Sequence, residues 1–283
     1  MGGEEIDAVC GRPFADPGFA AYGINGEDAA DLVTVTGSVT CWRVGDYELT
    51  YTLADGEDEL CSVTRTVHVV PAELPETVPT EKVIYLTFDD GPCDFTPEVL
   101  DILAKYDIKA TFFIVAGNHR YTDILPRIVE EGHTLGIHCF SHDYGWLYSK
   151  DTVFFEDFMH AQELIYEKTG TYATVSRFPG SSTTASYLFG QMKGGFEELE
   201  ERMHNMGVRF YDWSVQIEDY NNGAEGTIAN FKSLTPKAQI PIVLQHDTRA
   251  YSVYSLDKMI EWALSEGYTF APLDTTVPEV HFY

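Results

Sequence analysis

Val83-Ile84-Tyr85-Leu86-Thr87-Phe88-Asp89-Asp90-Gly91-Pro92 carries two signals side by side. Its first six residues are a short apolar run, suited to a strand buried on both faces of a parallel sheet. Its last four set two carboxylates against Gly-Pro, and all three residue types favour turns. Downstream, Thr96-Pro97-Glu98 opens a helix with an N-cap and a proline at the first position. Val99, Leu100, Ile102, Leu103 and Tyr106 give that helix one apolar face. The pattern then repeats. Strands are predicted at 110–116, 134–137, 173–178, 208–213, 240–245 and 268–273. Helices are predicted at 122–131, 153–168, 195–206, near 226–232 and at 255–266, several stopped by a glycine. This alternation indicates an α/β domain around a parallel sheet, either open or closed as a barrel.

Upstream the texture differs. Leu32–Gly37, Tyr47–Leu53 and Val63–Val70 alternate with period two and are rich in Thr, Val and Tyr, as half-buried strands are. Gly45-Asp46 and Asp55-Gly56-Glu57-Asp58 supply turns. A small antiparallel β-sandwich is expected over 1–71. Pro71, Pro75 and Pro79, spaced by polar residues, make 72–80 a stiff linker, which leaves 81–283 for the α/β domain.

Composition narrows the partners. With 45 acidic and 18 basic side chains the formal charge is −27, so a nucleic-acid partner is excluded for want of clustered Lys and Arg. No apolar stretch approaches the ~18 residues of a membrane span. Met1-Gly2-Gly3-Glu4 has neither a basic region nor an apolar run, so no signal peptide is expected there. None of the five cysteines, Cys10, Cys41, Cys61, Cys93 and Cys139, sits in a CxxC or zinc-finger spacing, which argues against structural zinc. Buried thiols are the expectation for most of them; a disulfide among the first three is compatible with secretion, but sequence does not assign one.

The reactive residues fall in one place. Asp89 and Asp90 follow the strand at 83–88, His138 and His142 follow the strand at 134–137, and Arg177, Asp212 and His246 end three more. The carboxyl ends of the strands of a β/α barrel form a single face, where active sites are built. Each residue has an ordinary reading: a turn for Asp-Asp, a surface ion pair for Arg177, a core imidazole for His246. Two imidazoles four residues apart suit one metal ion. Taken together, the set indicates a metal-assisted hydrolase.

Thr87-Phe88-Asp89-Asp90-Gly91-Pro92, His138-Cys139-Phe140-Ser141-His142, Arg177-Phe178-Pro179-Gly180, Tyr211-Asp212-Trp213-Ser214-Val215 and Val243-Leu244-Gln245-His246 occur in that order. The ordered set strongly resembles the polysaccharide deacetylases, the NodB-homology domain of carbohydrate esterase family 4, over about residues 82–275. The pattern from Gly45 to Val70 resembles bacterial immunoglobulin-like modules of surface proteins. The resemblance implies a distorted (β/α)7 barrel behind a small all-β immunoglobulin-like sandwich. It implies that Asp90, His138 and His142 hold one divalent metal, zinc with cobalt or nickel as substitutes. Asp89 would be the catalytic base, Arg177 its charge partner, His246 the acid that protonates the leaving amine, and Asp212 the group that tunes His246. Gly180 would lend its backbone N–H to the oxyanion, and Trp213 would line the acetyl pocket.

Cys139 stands where the family places Ser or Thr; a Cys139 ligand and a Cys93–Cys139 pairing stand as alternatives. Ser214 and the more distant Asp219 stand where many members have another acid, which bears on the role of Asp212. The implied activity is N-deacetylation of N-acetylglucosamine residues in an acetylated glycan, peptidoglycan by preference. Chitooligosaccharide deacetylation and O-acetyl-xylan esterase activity are the enzyme alternatives, and a surface glycan-binding protein is the non-enzyme one. A monomer, extracellular or wall-associated, is expected.

Overall fold

The computed structural model describes residues 3–56, 58–78, 80–189 and 195–282. Glu57 of one expected turn and Pro79 of the expected linker lie outside them. The chain divides into two compact units, Met1–Leu74 with Glu200–Gly207, and Pro75–Leu199 with Val208–Tyr283.

In the first unit β1 (Glu5–Val9), β2 (Val33–Thr36), β3 (Gly45–Asp55) and β4 (Asp58–Val70) form one sheet in the order β1-β4-β3-β2. β2, β3 and β4 pair antiparallel, as their turn-separated alternation requires. β1 departs from that expectation and runs parallel to β4, Ile6 opposite Val67. Period two turns Leu49, Tyr51 and Val67 to one face, where Ile6 packs with Phe14 and Val39 from the irregular segments.

The second unit alternates as expected. It runs β5 (Val83–Asp89), α1 (Thr96–Lys105), β6 (Thr111–Val115), α2 (Leu125–Glu130), β7 (Thr134–Cys139), α3 (Tyr144–Leu147), α4 (Asp151–Thr169) and β8 (Val175–Ser176). It continues α5 (Ser182–Phe189), α6 (Gly195–Asn205, of which the residues from Glu200 belong to the first unit), β9 (Arg209–Phe210), β10 (Val215–Gln216), α7 (Gly223–Leu234), β11 (Ile242–His246), α8 (Ala250–Ser265) and β12 (Thr269–Phe270). Seven strands pair in parallel in the order β10-β11-β5-β6-β7-β8-β9, and β12 pairs with the start of β5. Among the described residues no ladder joins β9 to β10, so the curled sheet is a barrel left open there. β5 lies centrally, with every residue from Ile84 to Asp89 buried, as its apolar run demands.

Three differences from the sequence reading have local causes. β8 and β9 have two residues each where six were expected, because their ends leave the ladder: Asp212 N–H donates to Val280 instead (2.8 Å). α5 was not expected, since Ser182-Thr183-Thr184 has weak helix propensity. The expected linker is held to the second unit, with Val78 N–H donating to Thr276 (2.6 Å) and Arg209 to the Pro75 carbonyl (2.9 Å).

Candidate active site

Parallel pairing brings the strand ends to one face, and the site is assembled there. Asp89 ends β5 opposite His246 of β11. Its carboxylate is buried and accepts a hydrogen bond from Arg177 (2.8 Å). Arg177 is itself fully buried, and its three nitrogens also donate to Tyr211 O (2.8 Å), Thr87 Oγ1 (2.6 Å) and Asp212 O (2.9 Å). The guanidinium stacks 4.4 Å from the Phe113 ring centre. A buried ion pair persists only when its remaining donors are satisfied, and here they are.

Asp90 follows with φ 71°, and His142 has φ 56°, both in the left-handed region that non-glycine residues rarely adopt. Such strain costs on the order of 1–3 kcal/mol per residue and collects at functional sites. Asp90 Oδ1 lies 3.5 Å from His138 Nε2 and 3.3 Å from His142 Nε2. One ligand atom from each of the three lies within 4.8 Å of the others. Burial opposes ionisation of Asp90, but the hydrogen bond to His142 and the charges of the three imidazoles outweigh it and hold its pKa at about 2. His138 Nδ1 lies 2.7 Å from the Arg177 carbonyl, so that nitrogen donates and Nε2 keeps its lone pair towards Asp90. Burial lowers the pKa of His138, which favours the neutral ring that metal ligation needs. In His142 the hydrogen bond to Asp90 outweighs burial and raises the pKa.

The loop between the histidines is held by a residue that sequence reasoning missed. Asp157 of α4 accepts from Phe140 N–H (2.6 Å) and Ser141 N–H (2.9 Å). The signal was a lone acid on the apolar face formed by Phe154, Phe155, Phe158 and Ile165. Cys139 is buried, and burial pushes its thiol pKa well up. It is not in the three-residue group, and all five cysteines are free thiols.

His246 faces the group from β11. Its Nδ1 lies 3.0 Å from Asp219 Oδ1, and its N–H donates to Asp219 Oδ2 (2.6 Å). Burial disfavours the imidazolium, but the hydrogen bond and charge of Asp219, with the charges of Asp89 and Asp90, raise the pKa overall. A cavity of about 120 Å³ is walled by Asp89, Asp90, His138, His142 and His246, and by Tyr144, Phe178, Gly180, Trp213 and Leu244. Gly180 has φ 79°, and its N–H has no partner among the described residues.

Two family profiles match the chain: "Polysaccharide deacetylase" over residues 76–199 and "Bacterial surface protein, Ig-like domain" over residues 1–69. A peptidoglycan-N-acetylglucosamine deacetylase of Bacillus cereus is 31% identical over 212 residues, 70% of this chain and 74% of that protein. A chitin deacetylase of Colletotrichum lindemuthianum is 30% identical over 201 residues, 66% of this chain and 75% of that one. The catalytic domain of a peptidoglycan N-acetylglucosamine deacetylase from Eubacterium rectale superposes with a TM-score of 0.69 at 35% identity, covering 74% of this chain and 96% of that domain. The chain belongs to the polysaccharide deacetylase family.

In this deacetylase one expected partnership is corrected. Asp212 does not touch His246; the carboxylate that does is Asp219. Asp212 instead accepts from Ser182 N–H (2.8 Å), Ser182 Oγ and Phe282 N–H (2.8 Å), so it starts α5 and ties down the C-terminal segment. Only its backbone carbonyl reaches the site, through Arg177. As a charged cap from outside the helix, it also accounts for the unexpected α5. A divalent cation fits the trio. One carboxylate and two imidazoles, one of them fixed in the ligating tautomer by its other nitrogen, make a donor set suited to a borderline ion.

Proposed function

We propose that the deacetylase removes acetyl groups from N-acetylglucosamine residues of peptidoglycan, outside the cell or at its wall, with Asp90, His138 and His142 holding one zinc ion. The observation that carries this reading is the pairing, across one small cavity, of the buried Asp89–Arg177 ion pair with the hydrogen-bonded His246–Asp219 couple. A divalent cation held by the trio, with cobalt or nickel as substitutes, supplies Lewis acidity, raising the acidity of water and polarising the acetyl carbonyl.

The protein's own groups do the rest. Asp89, held in place by the guanidinium against it, takes a proton from water as the oxygen adds to the acetyl carbon. The unpartnered Gly180 N–H donates to the developing oxyanion. His246 gives a proton to the sugar nitrogen as the C–N bond breaks, releasing acetate and a primary amine. Asp219 orients the ring so that Nε2 carries that proton. Trp213, Leu244 and Phe178 exclude water around the methyl group.

The named activities of the Bacillus and Eubacterium relatives support the peptidoglycan assignment, and the surface Ig-like match supports the location. A second reading, deacetylation of neutral chito-oligomers, is supported by the Colletotrichum relative. Mass spectrometry of defined glycans after incubation with zinc-loaded enzyme tests both. Acetate release from peptidoglycan fragments that stops with chelator and returns with zinc is expected. Release from chito-oligomers or acetylated xylan alone would move the substrate assignment, and release from no acetylated glycan would end the enzymatic reading.

A further inference from the structure

We propose that Arg249 reads a carboxylate on the sugar residue next to the one being deacetylated. The inference rests on the deacetylase reading above and concerns its choice of glycan. A groove of about 590 Å³ begins at Asp90 and His142 and runs to Asn118, Phe140, Thr248 and Arg249. That is within the ~300–1,000 Å³ range of ligand-binding clefts. It shares Asp90 and His142 with the small cavity, so a glycan whose acetyl group enters the cavity lays a neighbouring unit in the groove.

Arg249 stands at the rim of this groove, unpaired among the described residues. The protein has 45 acidic and 18 basic side chains, yet this exposed guanidinium has no hydrogen bond or ion pair with any described residue. Arg65, Arg127, Arg177 and Arg209 all have carboxylate partners. Arg249 is also the N-cap residue of the 16-residue helix α8 and makes no capping bond. Ser, Thr, Asp or Asn would stabilise that position, whereas a cation opposes the positive end of the helix dipole. Beside it Thr248, which lines the same groove, has a buried Oγ1 without a partner among the described residues. A guanidinium, a helix N-terminus and an unused hydroxyl all call for an anion.

The chemistry separates the two substrate classes. Chito-oligomers are uncharged on every acetylated unit. In peptidoglycan the neighbouring sugar carries a lactyl ether that ends in a carboxylate, or in a peptide that bears carboxylates of its own. A planar guanidinium binds such a group through two parallel hydrogen bonds.

The test compares acetate release by zinc-loaded enzyme from three oligosaccharides of equal length. One has the free lactyl carboxylate, one has it joined to a short peptide, and one is the neutral chito-oligomer. The expected wild-type kcat/KM favours a carboxylate-bearing substrate about tenfold, mostly through KM, as an interaction equal in ground and transition states requires. In Arg249→Ser, which improves the helix cap and so keeps the fold, that preference collapses towards unity. Arg249→Lys restores part of it, and rising salt erodes it in the wild type. Whichever of the two carboxylate-bearing substrates carries the preference identifies the source of the anion. Equal rates on all three substrates, or a preference that survives Arg249→Ser, would overturn the inference and leave the deacetylase reading standing. No acetate from any substrate would remove both.

Discussion

Two aspartates seven residues apart divide the work around His246. Asp219 contacts the imidazole and raises its pKa, whereas the Asp212 carboxylate caps α5 and only its backbone carbonyl meets a site side chain, Arg177. In its proposed role as the acid His246 must be protonated, a form lost as pH rises through its pKa, so the raised pKa would keep it loaded further into the alkaline range. Asp219→Asn removes the raising charge, and the alkaline limb of the kcat profile is expected to move to lower pH. A loss of about tenfold or more in kcat at pH 8 should follow, read by acetate release across pH. Asp212→Asn is expected to leave that limb in place and to lower stability by about 1–3 kcal/mol, read by urea denaturation. A shifted limb in the second variant and not in the first would restore the role that sequence reading gave Asp212.

At the scale of elements, the turn from β5 into α1 is held from β11. Asp247 is fully buried; its Oδ2 accepts from Thr96 Oγ1 at the start of α1 (2.5 Å), and its Oδ1 has no partner among the described residues. Burial raises its pKa from 3.8 to about 7. Between about pH 4 and 7 the folded protein therefore holds a proton that the unfolded chain has lost. Its contribution to stability falls as pH rises through that window and is level above it. Asp247→Asn, neutral throughout, should flatten this part of the melting-temperature profile and be the more stable form near pH 8. A wild-type profile as flat as that of the variant would remove the argument. The same carboxyl explains Gly91, where a Cβ would lie 2.3 Å from Asp247 Oδ2. Gly91→Ala is expected to cost about 1–3 kcal/mol by thermal denaturation, because a buried, bonded carboxyl has nowhere to retreat.

For the whole molecule, the two units are unequal in their bearing on chemistry. All proposed site residues lie between Asp89 and Arg249, in the second unit. The first unit includes Glu200–Gly207, the end of α6 and its Gly207 stop, where Ala72 N–H donates to Asn205 O (2.7 Å) and Gly11 packs on Met206. A fragment beginning at Pro75 loses those contacts. Its kcat on a soluble oligosaccharide is expected within about twofold of the full chain, with a melting temperature lower by roughly 2–4 °C for each kcal/mol lost. A fragment that folds but releases no acetate would place part of the machinery in the first unit.

The sequence by itself determined the β-α order, the burial of β5 and the gathering of Asp89, Asp90, His138, His142, Arg177 and His246 at the strand ends. Those features are local: hydrophobic period sets the elements, and parallel strands carry whatever follows them to one face. The trio in particular needs only a strand end and a short loop. Tertiary structure decided what each group touches. Asp219 reaches His246 because the chain turns back through Glu218, at φ 59°, a path no nearby pattern announces. Asp157 holds the histidine loop from α4, and Asp212 caps a helix that propensity alone would not start. Arg249 is notable for a partner it lacks, which only the packed surroundings reveal. A carboxylate's role depends on which donors the folded backbone sets around it. Asp212, Asp219 and Asp157 are one residue type in sequence and have three different roles in space.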